Sequence, residues 1–157
     1  MSYVSGGNAA PSPKDTRAQG IQDRTAATAK QAPRIILIDD DHVFGHIMRA
    51  AAKQRSLNLD HFESLAELGF IGMFTQYDAV IIDYHLGEEN GIEIAGYLRA
   101  LLGHIPLVLI SAADHIETPS DDHPGNVKAY VNKKRGYSAI LDAALDLVEK
   151  AKSQVRP

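Results

Sequence analysis

Three short apolar runs in this chain, and a weaker fourth segment, end in polar residues able to do chemistry. Ile35-Ile36-Leu37-Ile38 is followed by Asp39, Asp40 and Asp41, Ala79-Val80-Ile81-Ile82 by Asp83, Leu107-Val108-Leu109-Ile110 by Ser111, and Val131, after Asn132, by Lys133. If the runs are neighbouring strands, these groups meet beyond the carboxyl edge of the sheet, where open α/β sheets bind their ligands. Carboxylates gathered there repel one another, so their pKa values rise or a cation joins them. An all-oxygen donor set favours a hard ion, and a few carboxylates completed by water and phosphate suit Mg²⁺. Asp83 is then placed to take a phosphoryl group as an acyl phosphate. Lys133 would add a fixed positive charge, and Ser111 a hydroxyl donor, where negative charge develops.

Each residue also has an ordinary reading. An acidic residue after a strand commonly caps the following helix, and Asp41 fits that role. A serine ending a strand is usually a turn residue, and a lysine there is usually solvated. The ordinary readings do not account for polar groups of complementary charge at four strand ends together.

The elements that must position these groups are legible in the pattern of apolar residues. The three strongest runs are continuous and rich in β-branched residues, as expected of strands covered on both faces in a parallel sheet. Weaker strands are expected over 57–62 and 128–131. Helix-sized segments alternate with them. One over 43–53 carries Val43, Ile47, Met48 and Ala51 on one side, and one over 64–74 opens with Ser64 and Glu67 in a capping-box pattern. A third over 92–102 stacks Ala95, Leu98, Leu101 and Leu102, and a last over 137–150 spaces Ile140, Leu141, Ala144, Leu145 and Val148 helically. Alternation of strand and helix selects an α/β fold, with right-handed crossovers placing helices on both faces. The stretch between Ala112 and Val127 contains Pro119 and Pro124, which argue against a full helix there.

Composition bounds the rest. The 157 residues fit one domain, expected over 34–152, with a flexible tail over 1–33 and a short one over 153–157. The first 33 residues are rich in Gly, Ala, Ser, Pro, Thr and Gln and carry little that could form a core, apart from an Ala-rich stretch over 25–32 that could form a transient helix. They hold four basic residues (Lys14, Arg17, Arg24, Lys30) and two acidic ones (Asp15, Asp23); with a total of −4, the remainder carries −6. An acidic globular part argues against binding the phosphate backbone of nucleic acid. No apolar run is long enough to span a membrane, and the start lacks a secretory signal. The absence of cysteine excludes disulfides and thiolate chemistry and permits a reducing cytoplasm.

At this point the residues resemble the receiver domain of two-component response regulators, over about 34–152. The motifs that carry the resemblance are Ile-Asp-Asp-Asp at 38–41, Asp-Tyr-His-Leu at 83–86 with Gly91 eight residues after Asp83, Ser-Ala at 111–112, and Tyr-Val-Asn-Lys at 130–133. The resemblance implies a flavodoxin-like or CheY-like five-stranded parallel sheet of order 2-1-3-4-5. It implies Asp83 as the phosphoacceptor, loaded by a histidine kinase or phosphotransfer protein. Asp40, Asp83 and the backbone carbonyl of His85 would hold Mg²⁺, with Asp39 acting mostly through water. Lys133 would pair with the phosphoryl group, Ser111 would move to hydrogen-bond it, and Tyr130 would swing inward. It also implies a cytoplasmic location, a downstream protein partner, and a monomer or phosphorylation-dependent homodimer.

Two positions depart from the family pattern. Lys134 stands where the family has a proline after the lysine, so this peptide bond is expected to be trans. The fourth helix is expected to be degenerate, which leaves open the output face usually built on it. The His85 side chain has two readings, incidental to a backbone ligand or overhanging the acyl phosphate as a base. His42 and His46 lack a third ligand and are expected on the surface. Few residues follow Lys150, so the expected organisation is a stand-alone receiver whose output runs through protein contacts. Two alternatives stand beside this. One is a phosphate-independent, receiver-like adaptor. The other is a haloacid-dehalogenase-like phosphatase built on Asp39 and Asp41, which leaves Asp83 unexplained and lacks an adjacent acidic pair after Lys133.

Overall fold

The computed structural model describes Ser2 and residues 31–69, 76–103, 105–114 and 123–154. Most of the expected N-terminal tail, most of the Ala-rich stretch and residues 115–122 lie outside these. Five strands form one parallel sheet: β1 (Arg34–Ile38), β2 (Asn58–Phe62), β3 (Ala79–Asp83), β6 (Leu107–Ser111) and β7 (Val127–Asn132). Their order is β2-β1-β3-β6-β7, the expected 2-1-3-4-5 once the two short strands β4 (His85–Leu86) and β5 (Glu89–Asn90) are set aside. Those two pair with each other as an antiparallel hairpin around Gly87, at φ +57°. The pattern of apolar residues predicts no strand here.

Alternate residues of the central strands serve two different cores. Ile35, Leu37, Ile81, Val108 and Ile110 face helices α1 (His42–Gln54) and α4 (Tyr137–Gln154) and pack with Phe44, Met48, Ile140, Leu141 and Ala144. Ile36, Ile38, Val80, Ile82 and Leu109 face α3 (Gly91–Leu102) and pack with Ile94, Ala95 and Leu98. Every residue of β3 and β6 is buried. A strand covered on both faces has no polar side to spare, which is why these runs read as continuous rather than alternating. Each fully buried Ile or Leu contributes about 1.5–3 kcal/mol relative to exposure, so the three apolar runs anchor the frame that carries the polar groups.

The helices correct the expected faces in detail. On α1 the buried stripe is Phe44, Met48 and Ala52, while Val43 is 66% exposed. The phase is set by the cap: Asp41 accepts from the amide of Phe44 at 3.0 Å, fixing where the first turn starts. On α3, Leu101 is 47% exposed, and Ile94 joins Ala95 and Leu98 in the core instead. Helix α2 (Leu65–Leu68) is one turn, shorter than the expected 64–74. It opens on the expected cap, with Ser64 Oγ accepting from Glu67 N at 3.1 Å and Glu67 Oε2 accepting from Glu63 N at 2.6 Å. Gly69, at φ +70°, ends it; residues 70–75 lie outside the described ones. Helix α4 runs to Gln154, past the expected end at 150, because no breaker intervenes before Pro157. Between β6 and β7 the described residues, 112–114 and 123–126, form bends and turns. Among the described residues, no helix is long and apolar enough to cross a membrane.

Candidate functional site

The carboxyl ends of β1, β3 and β7 bring four of the expected groups together. Carboxylate oxygens of Asp39, Asp40 and Asp83 all lie within 4.8 Å of one another. Lys133, the first residue of a 3₁₀ turn (Lys133–Arg135) after β7, reaches back with Nζ 2.6 Å from Asp83 Oδ2 and 2.7 Å from Asp39 Oδ2. Both acids are thus ion-paired to the one ammonium. The ammonium also sits 4.6 Å from the centre of the Phe44 ring, a cation–π contact.

Burial grades the three acids. Asp39 is fully buried, Asp83 nearly so, and Asp40 exposed. Burial raises the pKa of the Asp39 carboxyl, against the opposing pull of Lys133. Burial alone would lower the Lys133 ammonium, but its bonds to Asp39 and Asp83 overcome this and leave it raised. Lys133 is therefore a fixed cation between two acids. Asp39 Oδ1 accepts from Asp41 N at 3.0 Å, Asp40 Oδ2 accepts from Gly87 N at 3.2 Å, and His85 N lies 3.5 Å from Asp83 Oδ1. Three carboxylates gathered within 4.8 Å of one another, one of them exposed, suit a hard cation bound through oxygen. Asp41 stays out of the cluster and caps α1, as its ordinary reading requires.

The remaining expected residues have other partners. Ser111, buried at the end of β6, accepts from Ala113 N at 3.1 Å. The half-buried ring of Tyr130 packs against the α3-side core, stacks on His123 with centroids 5.2 Å apart, and meets the His123 Nδ1 through its hydroxyl. Burial raises its phenol pKa. The His85 side chain is exposed and edge-on to Tyr84. His42 and His46 are exposed, as expected, and His42 pairs with Glu63 at 2.9 Å. No cis peptide bond occurs among the described residues. Lys134, in place of the family proline, bonds both oxygens of Asp114 at 2.9 Å.

Several supporting residues carried no readable signal. The amide of Gly87 meets Asp40 only because the β4–β5 hairpin folds back. Asn132 Nδ2 bonds Ala113 O at 3.2 Å and Asp114 Oδ1 at 3.1 Å, tying the loops after β6 and β7 together. Gly91 belonged to a recognised spacing without a reason, and the geometry supplies one. A Cβ at position 91 would lie 2.3 Å from the carbonyl oxygen of Asp83, so only glycine lets α3 start there.

The model of the response regulator receiver domain matches residues 35–145. The cell cycle transcriptional regulator CtrA of Caulobacter vibrioides is 26% identical over 101 residues, 64% of this chain and 43% of that protein. The alginate biosynthesis transcriptional regulatory protein AlgB of Pseudomonas syringae is 24% identical over 108 residues, 69% of this chain and 24% of that protein. The chain thus spans less than half the length of these relatives. Among solved structures, the response regulator TrrA of Thermotoga maritima, in complex with Mg²⁺-BeF, superposes with a TM-score of 0.62 at 23% identity, covering 73% of this chain and 98% of that one. The signal receiver domain of an HD domain-containing protein from Pseudomonas fluorescens gives 0.66 at 16% identity, covering 83% and 96%. By the match over most of its length, on the sheet order and acidic cluster described above, the chain belongs to the response regulator receiver domain family.

Proposed function

We propose that the chain is a phosphorylation-dependent signalling switch of a two-component system or phosphorelay, in which Asp83 takes a phosphoryl group from a histidine kinase or phosphotransfer protein. The observation that carries this reading is the bond of Lys133 Nζ to Asp83 Oδ2 at 2.6 Å, beside two further carboxylates at the end of a fully buried strand. Asp83 is paired with a cation, placed at the end of its strand, and gathered with an exposed acid. In the transfer, an Asp83 oxygen bonds to phosphorus as the phosphorus–nitrogen bond of the donor phosphohistidine breaks, and the imidazole leaves with a proton.

Asp39, Asp40 and Asp83, with the carbonyl of His85, would hold Mg²⁺. When bound, the ion supplies positive charge to the phosphoryl oxygens. Lys133 supplies the second positive charge from the carboxyl end of β7, and its contact with both acids keeps it in place before the donor arrives. Ser111 would exchange its bond from Ala113 N for one to the phosphoryl group. Tyr130 would leave His123, and the change at β6 and β7 would bias a two-state surface read by a protein partner in the cytoplasm. The acidic balance of residues 34–157 supports a protein rather than nucleic acid as the partner of this domain.

The test is incubation of the purified chain with a small phosphodonor, with and without Mg²⁺, read by intact mass. Uptake that needs Mg²⁺ and is absent in Asp83→Asn is the expected result. A folded protein that takes no phosphate from this donor or from a phosphohistidine donor would instead be a phosphate-independent adaptor. Partner affinity that does not change with a stable acyl-phosphate mimic would refute the switch.

A further inference from the structure

Beside the acidic cluster, a histidine from the edge strand β2 supports the peptide that joins two of the acids. His61 Nε2 lies 2.7 Å from the main-chain oxygen of Asp39. A carbonyl only accepts, so Nε2 carries the proton and donates. The Asp39 amide donates to Phe62 O at 3.0 Å, just past the end of β1. Asp39 is therefore held at N–H, C=O and carboxylate, the last through Asp41 N and Lys133. One position further on, among the described residues, Asp40 has only the Gly87 amide at 3.2 Å on its exposed carboxylate. The orientation of the Asp39–Asp40 peptide decides where the Asp40 Cα, and hence that carboxylate, stands.

The placement of the ring is built for, at a cost in helix propensity. His61 reaches Asp39 by passing under α1, where it lies against Gly45. A Cβ at position 45 would be 2.1 Å from His61 Cε1, 2.2 Å from Nδ1 and 2.5 Å from Cγ, so any other residue there excludes the ring. Glycine inside a helix costs about 1 kcal/mol relative to alanine, and Gly45 is buried in the first turns of α1 at φ values any residue could adopt. Its presence is explained by the space the imidazole occupies.

We propose that His61 is a positioning residue for the cation site, fixing the Asp39–Asp40 peptide so that Asp40 faces Asp83, with Gly45 as its seat. This rests on the proposed Mg²⁺ site, and it adds a residue that touches neither the ion nor the phosphoryl group. Gln can present an N–H at about the reach of Nε2, whereas Phe and Leu fill the seat without a donor.

The experiment measures Mg²⁺ affinity by titration calorimetry on the full chain, for wild type, His61→Gln, His61→Phe and His61→Leu. Thermal unfolding and the carbonyl ¹³C resonance of Asp39 are recorded alongside. Loss of one hydrogen bond to the peptide weakens Mg²⁺ binding about fivefold in the Phe and Leu variants, with Gln within about twofold of wild type and the Asp39 carbonyl shifted only in Phe and Leu. Equal Mg²⁺ affinity in all four proteins, or a Gln variant as weak as Phe, would overturn the proposal and leave His61 a packing residue. If wild type itself bound no Mg²⁺, the proposed function would fall. His61 would then be judged by Asp39 alone: an unshifted carbonyl in Phe and Leu rejects the positioning role.

Discussion

Replacing Lys133 by methionine tests the electrostatics of the site without changing the volume of the side chain much. Lys133 is only 16% exposed, and the carboxylates it touches are 0% and 9% exposed, so solvent screens this group weakly. Removing one partner of a buried charge pair costs about 3–5 kcal/mol, because the remaining charge stays desolvated. Here two acids remain, and burial already raises the pKa of Asp39, so Asp39 can take up a proton and soften the loss. The expected cost is near the lower end, about 3 kcal/mol, or about 10 °C in melting temperature for a domain of this size. Two companions make the reasoning specific. Asp39→Asn in the Lys133→Met background should recover part of the loss, since it removes the unpaired acid. Mg²⁺ should stabilise Lys133→Met more than wild type, since the ion replaces the missing charge. The assay is thermal and urea unfolding followed by circular dichroism, with and without Mg²⁺. A Lys133→Met protein within about 1 kcal/mol of wild type, unaffected by Asp39→Asn, would refute the account of Lys133 as the fixed cation of a buried site.

Other consequences are smaller in scope. Gly91→Ala forces a Cβ against the Asp83 carbonyl, which backbone cannot yield cheaply, so it should lose about 2 kcal/mol and weaken Mg²⁺ binding together in a combined melt and titration. Asp41→Ala removes the cap of α1 and should cost about 1 kcal/mol in urea unfolding while leaving Mg²⁺ affinity intact, which separates the third aspartate from the first two. Burial raises the phenol pKa of Tyr130, and burial followed by the bond to Asp60 raises that of Tyr77, both from an ordinary 10.0. Stability from these two is fully present below pH 10.0 and is lost as pH rises through the raised folded values. A tyrosinate absorbance titration should therefore show a late component that Tyr77→Phe and Tyr130→Phe each diminish.

The fold and the acidic cluster were legible for the same reason. Strands buried on both faces must be continuously apolar, so Ile35–Ile38, Ala79–Ile82 and Leu107–Ile110 announce themselves, and any polar residue ending such a run stands at the sheet edge. Asp39, Asp40 and Asp83 stand at the ends of such runs, Lys133 follows the weaker strand that ends near Val131, and Asp41 reads as a cap. What was not legible depends on three-dimensional placement. The helical period locates a buried stripe only to within one residue, so Val43 and Leu101 were assigned inward when α1 and α3 turn them out. The β4–β5 hairpin is two residues a side, too short for an alternation to register. Gly45 and His61 sit sixteen residues apart in different elements, and nothing in either segment reveals that one is the seat of the other. The bond between His123 and Tyr130 likewise joins a loop to a strand without any local pattern.

The most direct test of the central claim is to find the atom that carries the phosphate. After incubation with a phosphodonor and Mg²⁺, treatment with borohydride reduces an aspartyl phosphate to homoserine, and peptide mass spectrometry locates the converted residue. The account predicts conversion at Asp83 alone, absent without Mg²⁺. Conversion at Asp39 or Asp40, or phosphate retained on a residue that borohydride leaves unchanged, would contradict it.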